Sequence, residues 1–171
     1  VQNGVTPINE QPVNECYFEF IEMYIRKYPG KAPAVCNTLI NWLKESKISG
    51  IAAILSPISV GIETAAIKED GAAIIVGCIK ELMDKLLITD SNELIEAAKC
   101  LTSINQAFQN VINPDVKFFL DKIHSIVQII TDSSAEEEEM MIEVATAMPE
   151  FSRFVFNVYA TNASIEVLFR I

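Results

Sequence analysis

The chain has 171 residues, of which 50% are hydrophobic and 21% are charged, and its formal net charge is −10. Its length suits one domain, and its apolar content excludes an intrinsically disordered chain, which lacks the hydrophobic groups that build a core. The acidic balance argues against nucleic acid as a partner, because contacts with phosphates need a basic surface. The mean hydropathy of +0.28 is high for a soluble domain and would be explained by a large core, an apolar cavity, an oligomer interface or a segment that enters a membrane.

The hydrophobic pattern along the chain is helical. Residues 1–13 contain two prolines and one glycine and are predicted to form an irregular N-terminal arm. From 14 to 171 the apolar residues recur at helical spacing, without sustained alternation of apolar and polar residues. Turn and capping residues divide this part into about seven or eight short helices. The sequence therefore predicts an all-α fold, a single-domain bundle formed by residues 14–171.

Two prolines are expected to mark helix boundaries. Ser56 followed by Pro57 matches an N-cap and a first-turn proline, so a helix is predicted to begin there and to end at Gly71. Pro149 is expected to separate the helix that follows the acidic run 136–139 from a last helix that starts near residue 151.

The four cysteines are spaced too widely for a zinc site or a CxxC redox centre. They are Cys16, Cys36, Cys78 and Cys100. An even number at wide spacing is typical of two disulfides in an oxidising compartment. The alternative is four buried free thiols, since cysteine is among the most buried residue types.

Helix geometry suggests which cysteines pair. If the helices predicted at 72–88 and 92–112 form an antiparallel hairpin, Cys78 and Cys100 lie about 3 Å apart along the helix axes, within disulfide reach. The sequence therefore predicts a Cys78–Cys100 disulfide. A Cys16–Cys36 disulfide would need the first two helices to cross steeply. The competing arrangement joins Cys16 to Cys100 and Cys36 to Cys78.

Secretion is the predicted localisation. The chain begins at Val1 without an initiator methionine, which is expected of a protein whose signal peptide has been removed. Asn162 lies in an N-glycosylation sequon. Together with the predicted disulfides, these features favour an extracellular protein.

No recognised catalytic motif is present in the sequence. It lacks the GxSxG, GxxxxGK[ST], HExxH and GxGxxG patterns. The one histidine, His124, is expected to be a solvated surface residue. The acidic run 136–139 is explained by the favourable position of carboxylates in the first turn of a helix. The sequence therefore predicts a protein that is not an enzyme and that has neither a metal site nor a cofactor.

The first functional hypothesis is a secreted carrier that binds a small hydrophobic or lipid-like molecule in an apolar cavity. The same residues could equally be the packed core. The candidate lining residues are aromatic, aliphatic and methionine side chains: Phe20, Tyr24, Ile58, Ile62, Met83, Phe119, Met141, Met148 and Phe154.

Two other hypotheses would also explain the high mean hydropathy of the chain. An exposed apolar helix face could join copies of the chain in a homo-oligomer or bind a partner protein. Alternatively, residues 48–79 could act on membranes as a helical hairpin around a charged turn. A stable membrane span is not predicted, because the uncharged stretch 48–62 is shorter than the roughly 20 residues that a spanning helix needs.

Overall fold

A computed structural model describes residues 15–45, 51–85, 91–132 and 138–161. This part of the chain contains seven α-helices of 13 to 24 residues, the four-residue helix α6 and a 3₁₀ turn at Asn113–Asp115, without any strand. The helices are α1 (Glu15–Lys27), α2 (Ala32–Glu45), α3 (Ile51–Glu63), α4 (Glu69–Lys85), α5 (Ser91–Ala107), α6 (Gln109–Ile112), α7 (Val116–Asp132) and α8 (Glu138–Thr161). The predicted all-α class is confirmed, whereas the predicted N-terminal arm lies outside the described residues.

Helix α3 lies at the centre of the fold. It packs against α1, α2 and α5, and it carries no charged residue before Glu63. Most of its residues are buried, as expected for a helix that is hydrophobic on every side. Much of the uncharged stretch 48–62 is therefore core. None of the described helices combines the length and apolar character that a membrane span needs.

Both predicted proline boundaries are wrong. Helix α3 continues through Pro57, which is buried, and α8 continues through Pro149. Ser56 does not act as an N-cap, because its hydroxyl donates a hydrogen bond of 2.6 Å to Glu22 Oε1 on α1. A proline inside a helix removes one backbone hydrogen bond and costs about 3 kcal/mol. Packing of α3 on three neighbouring helices offsets that cost.

Helix α3 ends in a turn that the sequence did not indicate. Ala65 has a φ of 58°, and its N–H donates to the carbonyl of Ile62 at 3.0 Å. The N–H of Ala66 donates to the carbonyl of Gly61 at 2.9 Å. These two bonds form a Schellman motif, which ends helices at a left-handed residue. The helix predicted to begin at Ser56 and to end at Gly71 is therefore wrong. Helix α3 already ends at Glu63, and α4 begins at Glu69, before that glycine.

Helix α5 packs mainly on α3 and α8, and only slightly on α4. The premise of an α4–α5 hairpin, on which the Cys78–Cys100 register rested, is therefore wrong. Two further contacts connect α7 and the turn before it to other helices. Phe119 of α7 meets Phe154 of α8 edge to face, with 5.8 Å between ring centroids. Lys80 of α4 forms a 2.5 Å ion pair with Asp115, just before α7.

The prediction of two disulfides is wrong. Cys36, Cys78 and Cys100 are free thiols, and the side chain of Cys16 lies outside the described residues. Because every considered pairing uses Cys36 or Cys100, none of them forms. The reason is geometric: Cys36 packs against Gly61 on α3, and Cys100 is a hydrogen-bond partner of Ser59, also on α3.

Candidate functional site

The candidate site is a groove between α1 and α2. A turn at residues 28–31 joins the two helices into an αα-hairpin. Each helix packs more extensively on α3 than on the other, so their outer faces are left apart. The resulting open groove has a volume of about 340 Å³ and a mostly apolar lining.

The groove is lined by four residues from each helix, at the same spacing of i, i+3, i+4 and i+7 on both. They are Tyr17, Phe20, Ile21 and Tyr24 from α1, and Val35, Thr38, Leu39 and Trp42 from α2. This spacing places each set on one helix face. Ile21 and Leu39 are buried and form the floor, whereas Tyr17 and Phe20 are 50% and 63% exposed and form one wall.

Aromatic rings form a continuous row along α1. The ring centroids of Phe20 and Tyr24 are 6.4 Å apart, and those of Tyr24 and Tyr28 are 4.8 Å apart. The row ends at a cation, because Lys27 Nζ lies 5.6 Å from the centroid of the Tyr28 ring. These distances fall in the range of favourable aromatic and cation–π contacts. The wall is therefore an ordered surface of rings.

Polar contacts on the opposite side of α1 fix its position. Glu22 accepts the hydrogen bond from Ser56, and Arg26 forms an ion pair of 3.3 Å with Glu63 at the end of α3. Both contacts face α3, so the aromatic row is turned away from the core. On α2, the Thr38 hydroxyl donates to the carbonyl of Ala34 at 3.2 Å. The groove therefore offers mainly apolar contact.

Only two of the predicted cavity residues, Phe20 and Tyr24, line the groove. Most of the others are core residues, at most 6% exposed: Ile58, Ile62, Met83, Phe119 and Phe154. Met148 is partly buried against that core. The side chain of Met141 lies outside the described residues, as does Asn162.

Sequence reasoning missed the α2 half of the groove. Trp42 is the one tryptophan of the chain, and it lies one helical turn beyond Thr38 and Leu39. The repeated i, i+3, i+4, i+7 pattern on the first two helices was the available signal. It does not separate a groove from a helix–helix contact, because both produce the same periodicity.

Catalytic or metal-binding geometry is not seen at this site. Within the described ranges, no three His, Cys, Asp or Glu side chains are placed to hold a metal ion. His124 is exposed on α7, away from the groove. What the groove can do chemically is bury an apolar surface and offer a few hydroxyl groups at its wall.

No family model, curated protein or solved structure matches this chain.

Proposed function

We propose that the protein is a non-enzymatic binding protein that holds a small hydrophobic, lipid-like molecule in the α1–α2 groove. The observation that carries this proposal is the groove itself, which has a volume of about 340 Å³ and aromatic walls. Small-molecule sites typically have volumes of roughly 300–1,000 Å³ and mainly apolar linings. The groove is at the lower end of that range, which suits one small ligand or a single alkyl chain.

The exposed aromatic residues support this proposal on energetic grounds. Phe20 is 63% exposed although it lies beside buried apolar side chains. Contiguous exposed apolar surface usually marks a place where something binds. Aromatic rings have few rotatable bonds, so ordering them around a ligand costs little conformational entropy. Burial of such a ring by a ligand would stabilise the complex by about 1–2 kcal/mol.

Fluorescence titration with N-phenylnaphthylamine, a neutral apolar dye, tests the proposal. The unmodified protein is expected to bind the dye saturably with one site. Phe20→Gln is expected to weaken binding by about tenfold, because one ring is lost from the wall. The matched control is Phe156→Gln on α8, since Phe156 is 62% exposed and is not part of the groove.

Two results would reject the proposal. One is the absence of saturable dye binding by the unmodified protein. The other is an equal loss of binding in Phe20→Gln and Phe156→Gln, which would place the dye elsewhere or show that it adheres non-specifically. Circular dichroism of both variants verifies that their helix content is unchanged.

A second candidate function is self-association through the same helix. Met23 is 69% exposed and Tyr28 is 44% exposed, so the apolar surface of α1 extends beyond the groove. A second copy of the chain could cover this surface. Sedimentation at increasing protein concentration distinguishes the two functions: a dimer that Phe20→Gln dissociates supports self-association, and a monomer at all concentrations supports the small ligand.

The proposed function does not depend on the compartment. Secretion stays a prediction, and the free thiols of Cys36, Cys78 and Cys100 remove its disulfide argument. Membrane activity of residues 48–79 also stays a prediction. It would require α3 to leave its position among α1, α2 and α5.

A further inference from the structure

We propose, on the basis of the proposed function, that the ligand is a single-chain amphiphile with a carboxylate head. Its apolar chain lies in the groove, and Lys27 and Lys31 hold its head at the end next to the α1–α2 turn. The juxtaposition of an aromatic groove with two lysines at one end carries this inference.

The charge around the α1–α2 turn is opposite to that of the whole chain. Residues 26–31 contain Arg26, Lys27 and Lys31 and no acidic residue, in a chain of net charge −10. Arg26 is engaged with Glu63. Among the described residues, neither Lys27 nor Lys31 lies within ion-pair distance of a carboxylate. Two exposed ammonium groups are therefore available to an anion at this place.

Both lysines continue the helix faces that line the groove. Lys27 follows Tyr24 by three residues and Phe20 by seven, which places it on the same face of α1. Lys31 precedes Val35 by four residues, and the Val35 N–H points to the Lys31 carbonyl at 3.5 Å, so the helical path already begins at residue 31. The two ammonium groups therefore lie near one end of the groove.

The opposite end of the groove has the opposite charge on its rim. Glu45 follows Trp42 by three residues and Thr38 by seven, so it continues the groove face of α2 at the far end. A carboxylate head placed there would meet another carboxylate. The charges that continue the groove faces therefore favour an anionic head at the turn, with the chain pointing toward Trp42.

The carboxylate head is expected to contribute only moderately to the binding affinity. An ammonium group and a carboxylate form a charge-assisted hydrogen bond, but an exposed pair is weakened by solvent and by side-chain entropy. Apolar contact with the groove supplies most of the affinity, and the head distinguishes ligands of equal chain length. The relevant quantity is therefore a ratio of affinities between a carboxylate and its neutral analogue.

The test measures displacement of N-phenylnaphthylamine by dodecanoate and by dodecanol, both below their solubility limits. Because both molecules have the same alkyl chain, the ratio of their dissociation constants reports only the effect of the head group. The double variant Lys27→Gln/Lys31→Gln is expected to shift this ratio against dodecanoate by roughly tenfold, about threefold for each lysine. Higher salt is expected to shift the ratio of the unmodified protein in the same direction.

The control variant is Lys44→Gln, which removes one positive charge from the far end of the same helix. Thirteen residues separate it from Lys31, about 20 Å along α2, which is more than two Debye lengths at physiological salt. It is expected to leave the ratio unchanged. Normal dye binding with an unchanged ratio in the double variant would overturn the assignment of the head and leave the proposed function intact. A complete absence of dye binding by the unmodified protein would overturn both.

Discussion

The thiol of Cys36 lies directly against the bare Cα of Gly61. A Cβ atom on residue 61 would stand 2.6 Å from Cys36 Sγ and 3.0 Å from Ile67 Cδ1. Helix α2 and the segment that follows α3 therefore both approach the central helix at a place where only glycine fits. This contact fixes how α2 lies on α3, and Leu39, which forms the α2 part of the groove floor, is on the same helix.

Gly61→Ala is therefore expected to lower the free energy of unfolding by about 1–3 kcal/mol, the usual cost of overpacking a core. Urea denaturation measures this change. The loss is expected even though alanine favours helices over glycine by about 1 kcal/mol. Adding Cys36→Ala to this variant removes the sulfur and is expected to restore part of the lost stability, as a coupling energy between the two sites.

The matched control is Gly77→Ala on α4. A Cβ atom on residue 77 would have no neighbour within 4 Å, so only helix propensity changes and stability is expected to rise by about 0.5–1 kcal/mol. Equal effects of the two alanine substitutions would contradict the close approach of α2 to α3 at Gly61.

Ala65 is expected to be a position at which glycine stabilises the protein. Its φ of 58° is in the left-handed region, where an L-residue with a Cβ atom is strained by about 1–2 kcal/mol. Ala65→Gly relieves that strain, and part of the gain is lost to the greater freedom of glycine in the unfolded chain. We expect a net increase of about 0.5–1 kcal/mol in the free energy of unfolding, seen as a higher melting temperature.

The control for this prediction is Ala73→Gly. Ala73 is an exposed residue inside α4, where glycine is expected to cost about 1 kcal/mol. Effects of opposite sign at positions 65 and 73 would support the Schellman ending of α3. A loss of stability in both variants would instead mean that α3 ends in another conformation.

The number and type of the helices could be predicted from the sequence because apolar periodicity reports directly on helical burial. Their boundaries could not be predicted at Pro57 and Pro149. A proline is read locally as a helix start or break, whereas burial of Pro57 among three neighbouring helices is a tertiary effect. The left-handed turn at Ala65 could not be predicted either, because glycine, and less often asparagine, usually occupies this position at the end of a helix.

The disulfide prediction failed for a different reason. It assumed that helices adjacent in sequence also pack as a hairpin, which is common for short connections. Helix α5 instead packs on α3 and α8, which turns Cys100 toward Ser59. Two of the eight residues that line the groove, Phe20 and Tyr24, were among the predicted cavity residues, because they lie on an unusually aromatic stripe. The α2 half depends on the gap that remains when α1 and α2 both pack on α3, and residue spacing alone does not report such a gap.

The buried thiol of Cys36 gives a prediction about alkaline pH. Burial raises the pKa of Cys36 from 9.0 to about 11, because the thiolate is disfavoured away from water. The folded protein therefore holds the proton more tightly than the unfolded chain, so this contribution to stability is complete below pH 9 and is lost as the pH rises toward 11. A difference of two pKa units corresponds to about 3 kcal/mol in total, of which about 2 kcal/mol of stability is lost over that interval. Cys36→Ala lacks this titration, so its free energy of unfolding is expected to fall less steeply than that of the unmodified protein between pH 9 and 11. Urea denaturation at a series of pH values measures both slopes. Parallel slopes would show that Cys36 is not shielded from water by its contact with Gly61.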